Sequence, residues 1–146
     1  MQMVDVTGKD KSARSAIAQG SVLTTAQVIE QIDSGQTAKG DVLAAARIAA
    51  IMAVKHTPDI IPLCHPIAIG GVKVELWTKD DKVEIAVAVK TADRTGVEME
   101  ALTAVCAAGL TVIDMIKGTD PEATIENVRV LEKKGGKTGD WQRTRA

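Results

Sequence analysis

Every second residue is apolar in two neighbouring stretches of the chain, from Val72 to Leu76 and from Val83 to Val89. A period of two is that of a strand with one buried face. The polar residues Lys79-Asp80-Asp81-Lys82 separate the two stretches and supply the short turn that a hairpin needs. The pattern therefore predicts a β-hairpin in the middle of the chain.

Two longer segments are apolar on almost every side and are predicted to be helices. The first begins near Asp41 and runs to about His56, where Thr57-Pro58 ends it, because a proline disfavours helical backbone in the residue before it. The second follows the capping-box sequence Thr95-Gly96-Val97-Glu98 and ends at Lys117-Gly118. Helices that are apolar all round are buried on more than one side, so a homo-oligomer is expected to cover their outer faces.

Three further elements complete the fold prediction. Ala13 to Leu23 forms a first strand, Thr24-Thr25-Ala26-Gln27 is a capping box that opens a short helix to Ser34, and Thr124 to Glu132 forms a last strand. The order strand, helix, strand, strand, helix, strand is that of the ferredoxin-like plait (βαββαβ), an α+β fold with helices on one face of an antiparallel sheet. We expect one domain over residues 1–146, in which residues 133–146 form a mobile tail rich in Lys and Gly.

Composition narrows the class of protein. The 146 residues include neither Phe nor Tyr, so the core must be built from Ala, Val, Ile, Leu and Met. A net charge of −1 with mixed signs gives no reason to expect nucleic acid or an anionic membrane as a partner. Cys64 and Cys106 are too few for the disulfide framework of a small secreted domain. The N-terminus lacks a signal-peptide pattern, and the apolar run from Ala101 to Ile113 is shorter than the ~17–25 residues of a membrane span, so a cytoplasmic location is predicted.

Asp114 and Lys117 stand near the end of the second long helix and share one of its faces. A carboxylate at this end opposes the helix dipole, so another group must favour Asp114. One explanation is an ordinary ion pair on the helix surface. The other is a secluded pocket in which desolvation makes Lys117 a usable proton donor or acceptor. At the helix start, Glu98 is explained by the capping box, whereas Glu100 fits the helix dipole and a functional role equally well.

The loop Pro62-Leu63-Cys64-His65-Pro66 places a histidine between two prolines, which restrict the backbone and suit a binding site. Cys64 is not expected to act as a nucleophile with His65, because adjacent residues of an extended segment point to opposite sides. Two Cys and two His without a recognised spacing predict no metal site.

The segment from Lys133 to Thr138 ends in the Gly-Lys-Thr of a phosphate-binding loop. The first glycine of that motif would fall on Leu131, and too few residues follow to form its helix, which argues against a nucleotide hydrolase of that class. Two interpretations remain: a lysine-bearing segment whose amides and ammonium groups hold phosphate oxygens, or a solvated tail.

Four motifs together resemble the molybdenum cofactor biosynthesis protein C family, the cyclic pyranopterin monophosphate synthases, over essentially the whole chain. They are Lys39-Gly40-Asp41-Val42-Leu43, Pro62-Leu63-Cys64-His65-Pro66, Gly96-Val97-Glu98-Met99-Glu100-Ala101-Leu102-Thr103 and Gly135-Gly136-Lys137-Thr138-Gly139-Asp140. The resemblance implies a lyase that converts a cyclised dihydro-GTP to cyclic pyranopterin monophosphate with release of pyrophosphate. It also implies a ferredoxin-like homohexamer, built as a trimer of dimers.

The same resemblance implies roles for individual residues. Asp114, Lys117 and Lys39 would be catalytic, and Lys9 and Arg14 are weaker candidates for the site. The residues that would contact the substrate are Leu63, Cys64, His65, Met99, Glu100 and Lys133. No cofactor and no metal of the protein are implied, and the resemblance leaves open whether Mg²⁺ accompanies the triphosphate substrate.

The spacing of two of these residues has a geometric consequence. Glu100 and Asp114 are fourteen positions apart on one helix, which is about 21 Å at 1.5 Å per residue. If both contact one ligand, opposite ends of this helix must come from two subunits related by symmetry. The alternative function is a ferredoxin-like regulatory module that binds a small anion without chemistry.

Overall fold

Four long strands form an antiparallel sheet, against which the helices pack. The computed structural model describes residues 1–146. Its elements are β1 (Ser12–Leu23), α1 (Ala26–Asp33), α2 (Val42–Ile60), β2 (Ile69–Lys79), β3 (Lys82–Asp93), α3 (Glu98–Ile116), β4 (Thr124–Lys134) and β5 (Trp141–Gln142).

The strand order in the sheet is β2-β3-β1-β4-β5. The first strand of the chain therefore lies in the middle, paired antiparallel with β3 on one side and β4 on the other. With α2 and α3 lying against the sheet, the long strands have the arrangement of the ferredoxin-like plait, and the predicted α+β class is confirmed. The hairpin is confirmed as well, because β2 and β3 pair up to Lys79 and Lys82.

The hydrophobic side chains of the core are all aliphatic. Every hydrophobic residue with less than a tenth of its surface exposed is Ala, Val or Ile, so the expected aromatic-free core is present. Leu and Met were also expected there, but they are at most partly buried. Instead, Ile48, Met52 and Leu110 on α2 and α3 each expose more than half of their surface.

The small residues of the core allow α3 to lie very close to the sheet. A Cβ atom built on Gly20 of β1 would lie 2.7 Å from Cγ1 of Val105 in α3 and 3.0 Å from Cγ2 of Val128 in β4. A Cβ atom built on Gly109 of α3 would lie 3.1 Å from Cδ1 of Ile125. Glycine is therefore required at position 20, and the contact at Gly109 is tight.

Both predicted capping boxes are wrong. The N-cap of α1 is Thr25, whose hydroxyl accepts from the Val28 N–H, while the Thr24 hydroxyl donates to the carboxylate of Asp120 at 2.6 Å. The N-cap of α3 is Val97, and no side chain caps that helix. In each case a tertiary contact or the local backbone prevails over the sequence motif.

The predicted end of α2 at Thr57-Pro58 is also wrong, because the helix continues through Pro58 to Ile60. Proline cannot donate a backbone hydrogen bond. The ladder resumes after it, since the Ile61 N–H donates to the Thr57 carbonyl at 2.9 Å. Thr57, the residue before the proline, is fully buried, and its hydroxyl donates to the Ala53 carbonyl at 2.8 Å, which anchors the helix at this point.

By length and composition alone, α3 is the one helix of the chain that could cross a membrane, with a mean hydropathy of 1.6. At 19 residues it is longer than the apolar run considered from the sequence. It packs against α2, β1, β3 and β4, and this position accounts for the apolar residues on its buried face.

The C-terminal segment has more structure than the sequence indicated. Lys133 and Lys134 belong to β4, and Trp141–Gln142 forms a short strand paired with Glu132 and Lys133. The mobility of this tail stays a prediction.

Gly20→Ala is expected to destabilise the fold by about 1–3 kcal/mol, because the added methyl group must push apart the stiff side chains of Val105 and Val128. Gly71→Ala is the matched control, since Gly71 also lies in a strand but has no atom within 4 Å of the added Cβ. Urea unfolding measures both changes. Equal losses in the two variants would contradict the close packing of α3.

Candidate functional site

A carboxylate and two ammonium groups meet at the C-terminal end of α3. The Lys117 Nζ lies 2.8 Å from Oδ1 of Asp114, and the Lys39 Nζ lies 3.2 Å from Oδ2. Lys39 also donates to the backbone carbonyl of Asp114 at 3.0 Å. We refer to Lys39, Asp114 and Lys117 as the triad.

Lys39 reaches the triad from a tight turn that precedes α2. Gly40 in this turn has a φ of 105°, which favours glycine. The next residue, Asp41, is the N-cap of α2 and accepts from the Ala44 N–H at 3.0 Å. The motif Lys39-Gly40-Asp41 is therefore a turn and a helix cap that together present the lysine.

The two lysines compensate the carboxylate at the end of the helix. Hydrogen bonds from Lys117 and then from Lys39 hold the pKa of Asp114 below its ordinary value, with their charges adding to the effect. Asp114 and Lys117 therefore do form the ion pair predicted within α3, and Asp114 forms a second ion pair with Lys39. A cavity of about 370 Å³ borders all three side chains, and in the single chain each of them exposes about half of its surface.

A second group of predicted residues lies at the other end of α3. Glu100 is only 2% exposed although it is a carboxylate. Burial is the main cause that raises its pKa above the ordinary value of 4.5, and the nearby Glu98 adds to it. Met99, next to it in the first turn, is 38% exposed. The helix start therefore carries a secluded carboxyl group beside an accessible apolar side chain.

The loop between α2 and β2 approaches this helix start. Burial and the charge of Glu100 raise the pKa of the Cys64 thiol, so Cys64 lies near Glu100 and is not a reactive thiolate. The pKa of Asp5 is lowered mainly by hydrogen bonds from Thr7 and slightly by His65, which places His65 near the N-terminal segment. Leu63 is 43% exposed.

A strongly basic cavity of about 320 Å³ lies beside the same end of α3. No hydrophobic residue lines it, and its charged side chains are five cations and one carboxylate: Lys9, Arg14, Lys133, Lys134, Lys137 and Glu98. The Lys133 Nζ lies 3.6 Å from a carboxylate oxygen of Glu98. Glu98 therefore has a partner in the cavity in place of the capping role expected from the sequence.

Glycines bring the C-terminal segment against the start of β1 to close this basic cavity. Gly135 and Gly136 both have a φ of 84°. A Cβ atom on Gly135 would lie 2.0 Å from the Ala13 carbonyl oxygen, and one on Gly136 would lie 2.2 Å from Nη1 of Arg14. No helix follows, so the segment is not the phosphate-binding loop of a nucleotide hydrolase.

The structure thus groups the predicted residues into two places. Asp114, Lys117 and Lys39 form the triad at one end of α3. The other end brings together the remaining predicted residues: Leu63, Cys64, His65, Met99, Glu100, Lys133, Lys9 and Arg14. In one chain the two groups do not meet.

Several residues of the basic cavity could not be assigned to a site from the sequence. Lys134 and Lys137 were seen only as part of a lysine-bearing segment, and Glu98 only as a cap. Ser15 carries no local signal, and Thr95 appears in the sequence only as the first residue of a capping box. They line the cavity because β1, the start of α3 and the end of β4 converge there.

No cluster of three or more His, Cys, Asp and Glu side chains suited to a metal ion occurs in the chain. The expectation that the protein uses no metal or cofactor stays a prediction, because this observation concerns protein ligands alone.

Comparison with known proteins covers nearly the whole chain. The MoaC family matches residues 3–136. A cyclic pyranopterin monophosphate synthase of Streptomyces avermitilis is 59% identical over 98% of this chain and 84% of its own length. The corresponding protein of Nocardioides sp. is 54% identical, with 97% of this chain and 89% of its own covered. Cyclic pyranopterin monophosphate synthase 2 of Mycobacterium tuberculosis is 52% identical, with 97% and 84% covered.

Glu100→Gln is expected to make the free energy of unfolding less dependent on pH. The folded-state pKa of Glu100 lies above the ordinary 4.5, so the folded chain holds a proton that the unfolded chain releases. The wild type therefore loses stability as pH rises from 4.5 through that raised pKa, and a glutamine removes this loss.

Urea unfolding between about pH 4 and 8 measures the effect. Glu30→Gln is the control, since Glu30 is exposed on α1. A Glu100→Gln variant whose stability runs parallel to that of the wild type at every pH would show that the carboxyl is not secluded.

Proposed function

The chain belongs to the MoaC family, and on that premise we propose that it is a cyclic pyranopterin monophosphate synthase of molybdenum cofactor biosynthesis. Its reaction is that of a lyase, which converts a cyclised dihydro-GTP to cyclic pyranopterin monophosphate and releases pyrophosphate. The observation that carries the proposal is the triad of Lys39, Asp114 and Lys117 beside a cavity.

The triad suits the proton transfers that remaking a guanine-derived ring requires. A lysine gives or takes a proton, and an adjacent carboxylate holds it in place and stabilises its charged form. Because Asp114 contacts both ammonium groups, loss of a proton from one leaves the carboxylate paired with the other. Asp114, Lys117 and Lys39 are the catalytic residues of the proposal.

The basic cavity suits the phosphate end of the substrate. Closing a cyclic phosphate and expelling pyrophosphate builds negative charge on phosphoryl oxygens, which preorganised cations stabilise. Lys133, with Lys9 and Arg14, provides such charges. The neighbouring Leu63, Cys64, His65, Met99 and Glu100 would contact the remainder of the substrate. In this scheme lysines and an arginine bind the phosphates. The scheme does not require Mg²⁺, although the triphosphate could carry it.

The active site is proposed to lie between two subunits. The triad lies at one end of α3, and the proposed substrate contacts around Glu100 lie at the other, about 21 Å away. The two groups therefore do not form one site within a single chain. A second copy related by a two-fold axis would bring its triad to the basic cavity of the first. The exposed Ile48, Met52 and Leu110 are apolar side chains that such an assembly would cover. The proposed assembly is a homohexamer, a trimer of dimers.

The proposal extends to location and partners. We propose a cytoplasmic enzyme whose partners are its small substrate and its own copies. The GTP-derived substrate fits this location, and so do the two free cysteines and the net charge of −1. Neither nucleic acid nor a membrane is part of this scheme.

Lys117→Ala is expected to reduce turnover about 10²- to 10⁴-fold, which is the usual contribution of a general acid or base. The assay is incubation with the cyclised dihydro-GTP, followed by mass analysis for cyclic pyranopterin monophosphate and pyrophosphate. Substrate binding and assembly should persist. Lys79→Ala, at the exposed hairpin turn, is the control.

A wild-type chain that binds the substrate but forms no product would contradict the proposed function. That result would favour the alternative of a ferredoxin-like module that binds a small anion without chemistry.

Mixed oligomers test whether the site is shared. Lys133→Ala and Lys117→Ala should each lose most of the turnover alone, the first because it removes a cation from the phosphate end of the site. A dimer containing one of each has one intact site if Lys133 and Lys117 of a site come from different chains. Unfolding and refolding an equal mixture should then restore about a quarter of wild-type activity. If each site were built from one chain, mixing would restore none.

A further inference from the structure

Two side chains of β3 hold the end of the loop that carries Leu63, Cys64 and His65. The Ala68 N–H donates to Oδ2 of Asp93 at 3.0 Å. The Ala68 carbonyl accepts from the hydroxyl of Thr91. Both backbone groups of Ala68 are therefore bound by side chains from the neighbouring strand, just before β2 begins at Ile69.

The rest of this loop has little internal support. From Pro62 to Ile67 the only backbone hydrogen bond runs from the Cys64 N–H to the Ile61 carbonyl, at 3.1 Å. The segment from His65 to Ile67 makes none. Ile67 packs partly buried against the hydrophobic core. The position of His65 therefore depends on the α2 end of the loop, on this contact and on the Ala68 end, which Thr91 and Asp93 hold.

Asp93 also connects the loop to the basic cavity. Its Oδ1 accepts from the Arg94 N–H at 2.8 Å, and its carbonyl accepts from Nε of Arg14 at 3.1 Å. Arg14 lines the basic cavity. Asp93 thus contacts both Ala68, at the end of this loop, and Arg14, a cation of the proposed phosphate site.

The strand itself does not need these two side-chain bonds. Thr91 and Asp93 are paired with Arg14 and Ser12 of β1 through the backbone. The Thr91 side chain, in a residue only 5% exposed, is instead directed to a carbonyl outside the strand ladder. Removing its hydroxyl should therefore disturb the loop more than the sheet.

We propose that Thr91 and Asp93 are positioning residues, which order the loop from Pro62 to Ile67 through Ala68 and thereby set the affinity for substrate. The part that concerns substrate rests on the proposed function, whereas the ordering of the loop does not. Neither residue touches the reacting atoms in this proposal.

Thr91→Val keeps the shape of the side chain and its preference for a strand but removes the hydroxyl. It should raise KM about three- to tenfold, as expected for the loss of one hydrogen bond, and leave kcat within about twofold. Thr91→Ser should restore the wild-type KM. Thr78→Val is the matched control, because the Thr78 hydroxyl donates to Asp33 at 2.7 Å in another part of the sheet.

The reactivity of the Cys64 thiol reports on the loop without any substrate. In a Cys106→Ala background, the only remaining thiol is that of Cys64, and a disulfide reagent such as dithiobisnitrobenzoate measures its rate. Thr91→Val and Asp93→Ala should both accelerate the reaction, because a loosened loop exposes a thiol whose burial raises its pKa.

Unchanged Cys64 rates in both variants would overturn the proposal whatever the kinetics. It is also overturned if Thr78→Val raises KM as much as Thr91→Val does, or if Thr91→Ser does not restore KM. A wild-type chain without turnover would refute the proposed function, and the thiol rates would still decide whether Thr91 and Asp93 order the loop.

Discussion

The close packing of α3 on the sheet is the constraint on which the other features depend. Gly20 of β1 lies against the Val105 side chain of α3, and Gly109 of α3 lies against the Ile125 side chain of β4. The small residues Ala101, Ala104 and Ala108 are also buried on α3. A helix held this closely cannot shift along its axis without collisions between β-branched side chains. Its two ends are therefore fixed points, and both candidate groups of functional residues are built on them.

Charge is distributed along α3 in a way that requires distant partners. Glu98 and Glu100 at its start are favoured by the helix dipole, whereas Asp114 at its end is not. Lys39 and Lys117 offset that cost at the C-terminal end. At the N-terminal end Glu98 approaches Lys133, while Glu100 stays buried with a raised pKa. The apolar middle of the helix keeps the two charged ends apart.

Features set by local periodicity could be predicted from the sequence. The alternation in β2 and β3 follows from burial on one face, and the apolar length of α3 follows from burial on several. These patterns were enough to predict the plait. The caps could not be predicted, because a threonine motif does not show which hydroxyl has a tertiary partner. Thr24 is bound to Asp120, 96 positions away. The end of α2 could not be predicted for the same reason, since the burial of Thr57 is a tertiary effect that the local Thr-Pro sequence does not show.

The candidate site likewise has a part that local sequence predicts and a part that depends on the fold. The spacing of Asp114 and Lys117 predicted their ion pair, but the approach of Lys39, 75 positions away, depends on the fold. The basic cavity likewise requires three separated segments to converge.

On the proposed function, the chemistry and the assembly are coupled. A lysine exchanges protons readily near neutral pH when it is desolvated or close to other cations. The triad combines two cations with one carboxylate, and about half of each side chain remains exposed in one chain. In the proposed assembly, a second subunit would supply the desolvation. The outer faces of α2 and α3 carry the exposed apolar residues suited to attract that subunit, so the same contact that completes the substrate site would also prepare its lysines.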